Sequence, residues 1–308
     1  MKIVAEEHWV KKGPVKLYVY RKRNVEGMAK KPVLFLVHGS TFSTRGTYDL
    51  MVNGMGDYSA MEHFAGLGYD VWTMDNEGYG YSDRTDSSSG IMVGVADLQA
   101  AMPLVLEKSG QKAVLMFGES SGAIKAGAYA NAEPGKVARL MMHAHTHTGK
   151  DAPEMERRRR MIEQLKATPR RPFGMAQIDN VFNRDKSGQT DPAIIKALAD
   201  FELKFGDSVP AGTYVDMALH LPLVDPAKIN CSVALTRPDH DGNSTEEELI
   251  EFFVKLASRD KQYNLMRGLP HGGAMVGHHR KRMWYVMHAF FVPAFRVKRD
   301  VIPGAIRR

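Results

Sequence analysis

Short, continuous apolar runs alternate with longer helical patterns along most of this chain. Strands made of such runs are buried on both faces, as in parallel sheets with helices on either side. The five clearest runs are PVLFLV (32–37), DVWTMD (70–75), KAVLMF (112–117), KVARLMMHA (136–144) and CSVALT (231–236). We therefore expect an α/β protein with a mostly parallel, doubly wound sheet. The alternating run VKLYVYRK (15–22) is expected to be an edge strand.

The alternation is interrupted once. Residues from about 147 to 226 are charged and helical in pattern, and they contain no convincing buried strand. A strand, a helix, a further strand and a last amphipathic helix (RKRMWYVMHAFF, 280–291) then restore the earlier rhythm. The simplest interpretation is one core domain, residues 1–146 and 227–308, with a helical cap inserted at residues 147–226.

The composition narrows the cellular setting. No apolar run approaches the ~20 residues that a membrane helix needs. The N-terminal stretch MKIVAEEHWVKKG carries charges where a signal peptide would be continuously apolar. The single cysteine, Cys231, allows no intramolecular disulfide and argues against a cysteine-based metal site. We expect a cytoplasmic protein that is not attached to a membrane.

The net charge of +7 raises the question of an acidic partner. The densest basic stretch is Arg157–Arg160, but four consecutive helical residues point in nearly all directions and cannot form one basic stripe. Aromatic residues for stacking on bases are missing there, so a solvated helix with local ion pairs is expected rather than a nucleic-acid site. The basic tail Val297–Arg308 receives no assignment. A homo-oligomer is compatible with the sequence.

The stretch Gly118-Glu119-Ser120-Ser121-Gly122 fits the pattern G-x-S-x-G between a predicted buried strand and a predicted helix. A sharp turn at that place exposes the Ser120 hydroxyl above the carboxyl edge of the sheet, beside the positive end of the helix dipole. The two glycines are needed because larger side chains would collide with the neighbouring elements. The alternative is a plain glycine-flanked turn, but the flanking strand and helix favour a nucleophile.

A serine nucleophile needs a base, and an acid to orient that base, in the order Ser, Asp or Glu, His. His271 opens a glycine-rich turn after one late strand, and Asp239 and Asp241 follow the strand before it. We prefer Asp241, because Gly242 and the N-cap of the next helix (Ser244 or Thr245) allow a tight turn back toward the histidine. Asp239 is the alternative, and a surface loop is the alternative for His271.

Acyl transfer also needs two N–H donors for the oxyanion. The backbone N–H of Ser121 would be the first. The backbone N–H of Ser40 or Thr41, in the loop after strand 32–37, would be the second. The side chains of these three residues are incidental to this prediction.

Other polar residues are candidates for lining a substrate pocket: His38, Glu119 and His145. In MHAHTHT, His143, His145 and His147 would share one face if the strand continued. A zinc site there lacks an evident carboxylate partner, so no metal and no cofactor are predicted. Lys125 could reach an anionic substrate, although a helix lysine with a buried stem is the simpler interpretation.

With these motifs in view, the chain resembles a capped member of the α/β-hydrolase fold superfamily over nearly its whole length. The residues that carry the resemblance are HGS (38–40), DNEGYGYSD (75–83), GESSG (118–122), DHDGNSTEEEL (239–249) and PHGG (270–273). The resemblance implies a cap inserted after the sixth strand. Glu77 stands where relatives usually have arginine, which implies local repacking rather than loss of activity. A serine at position 120, in the turn between strand and helix, argues against haloalkane dehalogenases and epoxide hydrolases, which use aspartate at that position.

The expected function is a cofactor-independent serine hydrolase that cleaves a small or medium carboxylic ester through Ser120, His271 and Asp241. The same site could act on an amide, a lactone, a thioester or the C–C bond of a diketone. An alternative of another class is a non-catalytic receptor that uses the capped pocket to bind a small molecule. Under each of these hypotheses the expected binding partner is a small molecule, and neither a nucleic acid nor a membrane is expected as a partner.

Overall fold

The computed structural model describes residues 1–27 and 30–292, and the tail Val297–Arg308 lies outside these described residues. The strands are β1 (Ile3–Lys12), β2 (Val15–Asn24), β3 (Val33–Val37), β4 (Asp70–Met74), β5 (Val114–Glu119), β6 (Val137–His143), β7 (Arg170–Pro172), β8 (Ser208–Pro210), β9 (Ser232–His240) and β10 (Lys261–Pro270). The helices are α1 (Thr44–Tyr48), α2 (Ala60–Gly66), α3 (Ile91–Ser109), α4 (Ser121–Ala132), α5 (Pro153–Arg160), α6 (Ile162–Ala167), α7 (Met175–Asn183), α8 (Pro192–Glu202), α9 (Gly212–Leu219), α10 (Glu246–Lys255) and α11 (Arg280–Phe291).

The main sheet has the strand order β1-β2-β4-β3-β5-β6-β9-β10. The pairs from β4 to β10 are parallel, and β1, β2 and β4 pair antiparallel. All five residues of β3 are buried, with Leu34 and Leu36 in one core and Val33, Phe35 and Val37 in the other. Helices α2 and α11 cover the first face, and α3, α4 and α10 cover the second. The predicted doubly wound α/β fold is therefore confirmed.

The expectation that VKLYVYRK forms an edge strand is wrong. This run is β2, and β1 pairs with it along its whole length, so β1 is the edge. The sequence pattern did not indicate β1, because polar residues such as Glu6 and His8 occupy its half-buried face. They are accommodated by neighbours on the hairpin: Glu6 accepts hydrogen bonds from Arg21 and Arg23.

Between β6 and β9 the chain forms α5 to α9, which we call the inserted helical segment. It also contains the antiparallel pair β7–β8, a feature the sequence pattern did not indicate. Each strand has only three residues and ends in proline, so no two-residue periodicity could develop. Apolar residues of α7 and α8, among them Ile178, Phe182 and Leu198, are buried in the same core cluster as the first sheet face.

Glu77, the departure from the usual arginine, lies in a buried charge cluster. The Nζ atom of Lys12, at the end of β1, donates to Glu77 Oε2 at 2.7 Å and also contacts Asp97 on α3. Asp97 accepts in turn from the Glu77 backbone N–H at 2.9 Å. The cation therefore comes from a different strand, and a buried carboxylate occupies the position of the expected arginine.

Replacing Lys12 by methionine should destabilise the fold by about 3 kcal/mol, because Glu77 and Asp97 would lose the cation to which both are hydrogen-bonded. The measurement is the free energy of unfolding in urea. Lys11→Met, on the exposed face of the same strand, is the matched control and should change that free energy by less than ~0.5 kcal/mol. Equal effects of the two substitutions would contradict the importance of the cluster.

Within the described part of the chain, no helix has the length and apolar character required to cross a lipid bilayer.

Candidate active site

Ser120 occupies a strained turn between β5 and α4. Its backbone has φ 58° and ψ −126°, a left-handed conformation that costs about 1–3 kcal/mol for a residue with a side chain. The flanking glycines make the turn possible. A Cβ atom on Gly118 would collide with the carbonyl of Gly122, and one on Gly122 would collide with the carbonyl of Val37. The turn places the Ser120 hydroxyl at the carboxyl edge of the sheet.

Ser120, His271 and Asp241 form one hydrogen-bonded line. His271 Nε2 lies 2.9 Å from Ser120 Oγ, and His271 Nδ1 lies 2.8 Å from Asp241 Oδ1. Asp241 and His271 directly follow β9 and β10, which are neighbours in the sheet. Asp241 Oδ1 also accepts the backbone N–H of Asn243 at 2.8 Å. The structure thus brings together the three residues that the sequence placed in this order.

The two candidate aspartates, Asp239 and Asp241, have different hydrogen-bond partners. Asp239 Oδ1 accepts the backbone N–H of Gly268 at 2.7 Å and makes no contact with His271. Asp241 is buried, and Thr245 caps the following helix by accepting the N–H of Glu248. Burial alone would raise the pKa of Asp241, but the imidazole of His271 and the N–H of Asn243 hold it below its ordinary value. Asp241 is therefore an anion at neutral pH.

Asn243 is a site residue that the sequence reasoning missed. Its Nδ2 lies 3.0 Å from His271 Nε2, the same nitrogen that Ser120 approaches. Its Oδ1 accepts from Arg184 Nη2 at 3.1 Å, which orients the amide with the nitrogen toward the imidazole. A donor at Nε2 favours the tautomer whose proton is on Nδ1, facing Asp241. The one signal in the sequence that could have identified Asn243 is its position two residues after Asp241.

Ser40 and Thr41 line the same cavity as Ser120 and His271, and Ser121 is the first residue of α4. Their side chains are more involved than the sequence suggested. Ser40 Oγ donates to Ser121 Oγ at 2.7 Å, which ties the loop after β3 to the start of α4. The loop passes close to the turn, since a Cβ atom on Gly39 would lie 3.4 Å from that of Ser120.

Of the three candidate pocket residues, Glu119 lines the cavity, whereas His38 and His145 do not. His38 is buried, and its Nε2 accepts the backbone N–H of Asn76 at 3.0 Å, so it links the loops after β3 and β4. His145 is buried against Phe252, with ring centroids 4.8 Å apart. The expectation for these two histidines is wrong, because each ring is turned into the core.

The histidine run does not share one face. Strand β6 ends at His143, and Ala144 has a φ of 51°, so the alternation stops before His145. His143 Nδ1 pairs with Thr236 Oγ1 at 2.9 Å. In the two described ranges, no cluster of three or more histidine, cysteine or acidic residues has the geometry of a metal site.

The pKa values of Glu119 and Lys125 are both shifted strongly by burial. Burial raises the pKa of Glu119 to about 7, an effect that His271 partly offsets. Burial also lowers the pKa of Lys125 to about 8, against the influence of Asp97. Lys125 Nζ donates to Asn76 Oδ1 at 2.7 Å, and the side chain is fully buried. Lys125 is thus a helix lysine with a buried stem and does not line the cavity.

The cavity at Ser120 is small and is roofed by the inserted helical segment. About 60 Å³ is open to water-sized molecules, and the roof includes Arg158, Arg184 and Tyr214. A second cavity of about 730 Å³ shares these three residues and is also lined by Arg157 and Arg171. The sequence reasoning missed this concentration of arginines around one site.

The run Arg157–Arg160 was expected to lie on a solvated face, and for Arg158 this is wrong. Its side chain is only 3% exposed, and its guanidinium carbon lies 3.8 Å from the centre of the Tyr214 ring. The neighbouring Arg157 is paired with Glu154 at 2.6 and 2.8 Å, in the manner expected for local ion pairs. In a run of four consecutive arginines, the one that faces the core is buried. The periodicity of the sequence cannot show which of the four that is.

Tyr214 should titrate near neutral pH. Burial raises its pKa, but the charges of Arg171, Arg158 and Arg184 more than offset this and lower it from 10.0 to about 7. The phenol is therefore neutral below about pH 7 and becomes phenolate above it. Tyrosinate absorbance in the near ultraviolet should show one such step in the folded protein, and Tyr214→Phe should remove it. A wild-type titration with no step until strongly alkaline pH would contradict this expectation.

Comparisons with protein families and with solved structures agree on the fold. The family model described as serine aminopeptidase, S33, matches residues 49–274, most of the chain. No curated protein matches. Similar solved structures include E-2-(acetamidomethylene)succinate hydrolase, at 14% identity and TM-score 0.69, covering 94% of this chain and 100% of that chain.

Two further solved structures have the same fold. A thermophilic esterase from Thermogutta terrifontis, with malate bound, is 17% identical at TM-score 0.67 and covers 94% of this chain and 98% of that one. The 2-hydroxy-6-oxo-6-phenylhexa-2,4-dienoate hydrolase of Rhodococcus sp. strain RHA1 is 13% identical at TM-score 0.68, covering 94% and 100%. Together with the family model, these comparisons confirm the resemblance: the chain belongs to the serine aminopeptidase S33 family of hydrolases, within the α/β-hydrolase superfamily.

Proposed function

We propose that the protein is a serine hydrolase that cleaves carboxylic esters, with Ser120 as nucleophile, His271 as base and Asp241 as the acid that orients it. The observation that carries this proposal is the continuous line of hydrogen bonds from Ser120 Oγ to the Asp241 carboxylate. A serine hydroxyl is a poor nucleophile until a base accepts its proton. Here the base is within reach, and its other nitrogen is held by a buried anion.

The chemistry follows from this geometry. His271 Nε2 takes the hydroxyl proton while Ser120 Oγ bonds to the ester carbonyl carbon, and the carbonyl oxygen becomes an oxyanion. The N–H groups of Ser121 and of Ser40 or Thr41 would stabilise that oxyanion. The tetrahedral intermediate then breaks its C–O bond, and the alcohol leaves with the proton from His271. Water, deprotonated by the same nitrogen, then bonds to the acyl carbon. The bond from that carbon to Ser120 Oγ breaks as His271 returns the proton to Oγ, and the carboxylic acid leaves.

We also propose that residues 147–226 act as a cap that sets the size of the substrate. The support is the set of contacts between this segment and the loop after β3. Arg171 Nη2 donates to the carbonyl of Ser40 at 2.9 Å, and Glu202 accepts the backbone N–H of Ser43 at 3.0 Å. The roof is thereby fixed to the loop that would supply an oxyanion donor. The small cavity beneath it fits a small acyl or alcohol group at the reacting carbon.

Covalent labelling tests the proposal. A p-nitrophenyl alkylphosphonate should release one equivalent of p-nitrophenol and leave the phosphonyl group on Ser120, as located by mass spectrometry of the peptides. Ser121→Ala is the matched control, since the adjacent hydroxyl is removed while the backbone N–H remains, and it should still be labelled. Absence of labelling in the wild type, or labelling that survives in Ser120→Ala, would overturn the proposal.

A further inference from the structure

The roof of the candidate site carries more positive charge than its own acids neutralise. Five arginines line the two cavities. Arg170 donates to the backbone carbonyls of Gly78 and Ser208, and the other four are Arg157, Arg158, Arg171 and Arg184. Within the described ranges, two carboxylates pair with this group, those of Glu154 and Asp185. Burying an unpaired cation costs several kcal/mol. An enclosed excess of this kind indicates that a further anion belongs there.

The two carboxylates are largely used by two of the arginines. Glu154 binds Arg157 through both oxygens, at 2.6 and 2.8 Å, and Asp185 binds Arg184 through both oxygens at 3.1 Å. Glu154 is also 3.4 Å from Arg184 Nη1. Each of these two pairs is bidentate, so the charges of Arg157 and Arg184 are already neutralised and neither residue needs a ligand.

Arg158 and Arg171 remain under-neutralised. Arg158 has one long contact with Glu154, at 3.3 Å, and its Nη1 lies against the sulfur of Met217. No protein acceptor in the described part of the chain contacts its Nη2. Arg171 pairs with no carboxylate among the described residues. Its Nη2 contacts the Ser40 loop and its Nε is buried without a partner.

Both of these guanidinium groups lie over Tyr214, with their carbons 3.8 and 4.1 Å from the ring centre. Tyr214 partly compensates these two close like charges, as a neutral aromatic ring below about pH 7 and as a phenolate above it. It does not replace the planar, two-oxygen acceptor that a guanidinium group prefers. Arg158 and Tyr214 also line the cavity that contains Ser120 and His271.

We propose that the substrate carries a free carboxylate, bound by Arg158 and Arg171 beside Tyr214, while its ester carbonyl lies at Ser120. This inference rests on the proposed function and adds the substrate class, a monoester of a dicarboxylic acid. The carboxylate supplies the planar, two-oxygen acceptor that Arg158 and Arg171 lack. The small cavity at Ser120 holds the reacting ester group, and a neutral ester offers no carboxylate to either arginine.

A matched pair of substrates tests this inference: p-nitrophenyl hydrogen glutarate and its methyl ester, p-nitrophenyl methyl glutarate. The wild type should prefer the acid by at least about 10-fold in kcat/KM, the equivalent of one charge-assisted hydrogen bond. Arg158→Met should lower that preference about 10- to 100-fold, mainly through KM, and Arg158→Lys should retain part of it. Arg160→Met removes one charge from the exposed side of the same helix and should leave the preference unchanged.

The outcomes separate the two proposals. Turnover of both esters without preference for the acid, or a preference that survives in Arg158→Met, overturns the carboxylate site and leaves the hydrolase standing. If neither ester is cleaved and Ser120 is not labelled, the hydrolase proposal fails. Binding then decides the inference by calorimetry: monomethyl glutarate should bind the wild type at least about 10-fold more tightly than dimethyl glutarate and lose that advantage in Arg158→Met. Equal binding of the two esters would overturn it.

Discussion

Replacing Ser120 by alanine should lower kcat for ester hydrolysis on the order of 10⁶-fold, with little change in substrate binding. The hydroxyl is the atom that bonds to the carbonyl carbon, and His271 Nε2, at 2.9 Å, would have no proton to accept. Neither Asp241 nor the oxyanion donors can substitute for a missing nucleophile. The measurement is the steady-state rate with a p-nitrophenyl ester, together with the release of p-nitrophenol under single-turnover conditions.

Ser121→Ala is the control for this substitution. It removes a hydroxyl one residue further along the chain, and the hydrogen bond that Ser40 Oγ donates at 2.7 Å, at a stability cost of about 1 kcal/mol. The backbone N–H of residue 121 remains, so kcat should fall by less than ~10-fold, the effect of a loosened loop. If Ser121→Ala were the inactive variant and Ser120→Ala the active one, the assignment of the nucleophile would be reversed.

The central part of the site was predictable because each of its features is local in sequence. Gly118 and Gly122 bracket Ser120, and a buried strand and a helix bracket the glycines. Asp241 and His271 each follow a strand, and parallel neighbouring strands end at one edge of the sheet. A reader of the sequence needs only strand ends and order to place the three residues together.

The charges around the site were not predictable, because their partners are distant in sequence. Lys12 and Glu77 are 65 residues apart, and Arg171 meets Ser40 across 131 residues. Periodicity says nothing about which of several adjacent arginines a tertiary contact will bury. The Arg157–Arg160 run therefore indicated a solvated helix, whereas Arg158 forms part of the roof.

The error at His145 has a backbone origin. A histidine beside a catalytic loop was expected to face the substrate. The chain after β6 turns instead at Ala144, where φ is positive, and directs His145 against Phe252. A single residue with positive φ ends the regular alternation of side chains along a strand. Such a residue is difficult to anticipate where it is alanine rather than glycine.

Replacing Asp241 by asparagine should reduce kcat about 10⁴-fold while leaving the fold intact. An asparagine amide can donate to His271 Nδ1, and this favours the tautomer whose proton is on Nε2, where it blocks acceptance from Ser120. It also removes the anion that would stabilise the imidazolium ion. The measurement is kcat for the same p-nitrophenyl ester, with the free energy of unfolding measured alongside.

Asp239→Asn is the control that separates loss of the Asp241 carboxylate from a general disturbance of the backbone around it. Asp239 lies two residues earlier, near the end of β9. Its carboxylate accepts the Gly268 N–H at 2.7 Å, a bond that the amide oxygen of asparagine can replace. This variant should keep kcat within about threefold, because the tautomer of His271 is unaffected. Similar losses in both variants would mean that loop geometry, not the Asp241 carboxylate, governs the reaction. A large loss in Asp239→Asn alone would transfer the acid's role to Asp239. The different hydrogen bonds of the two carboxylates lead us to expect neither result.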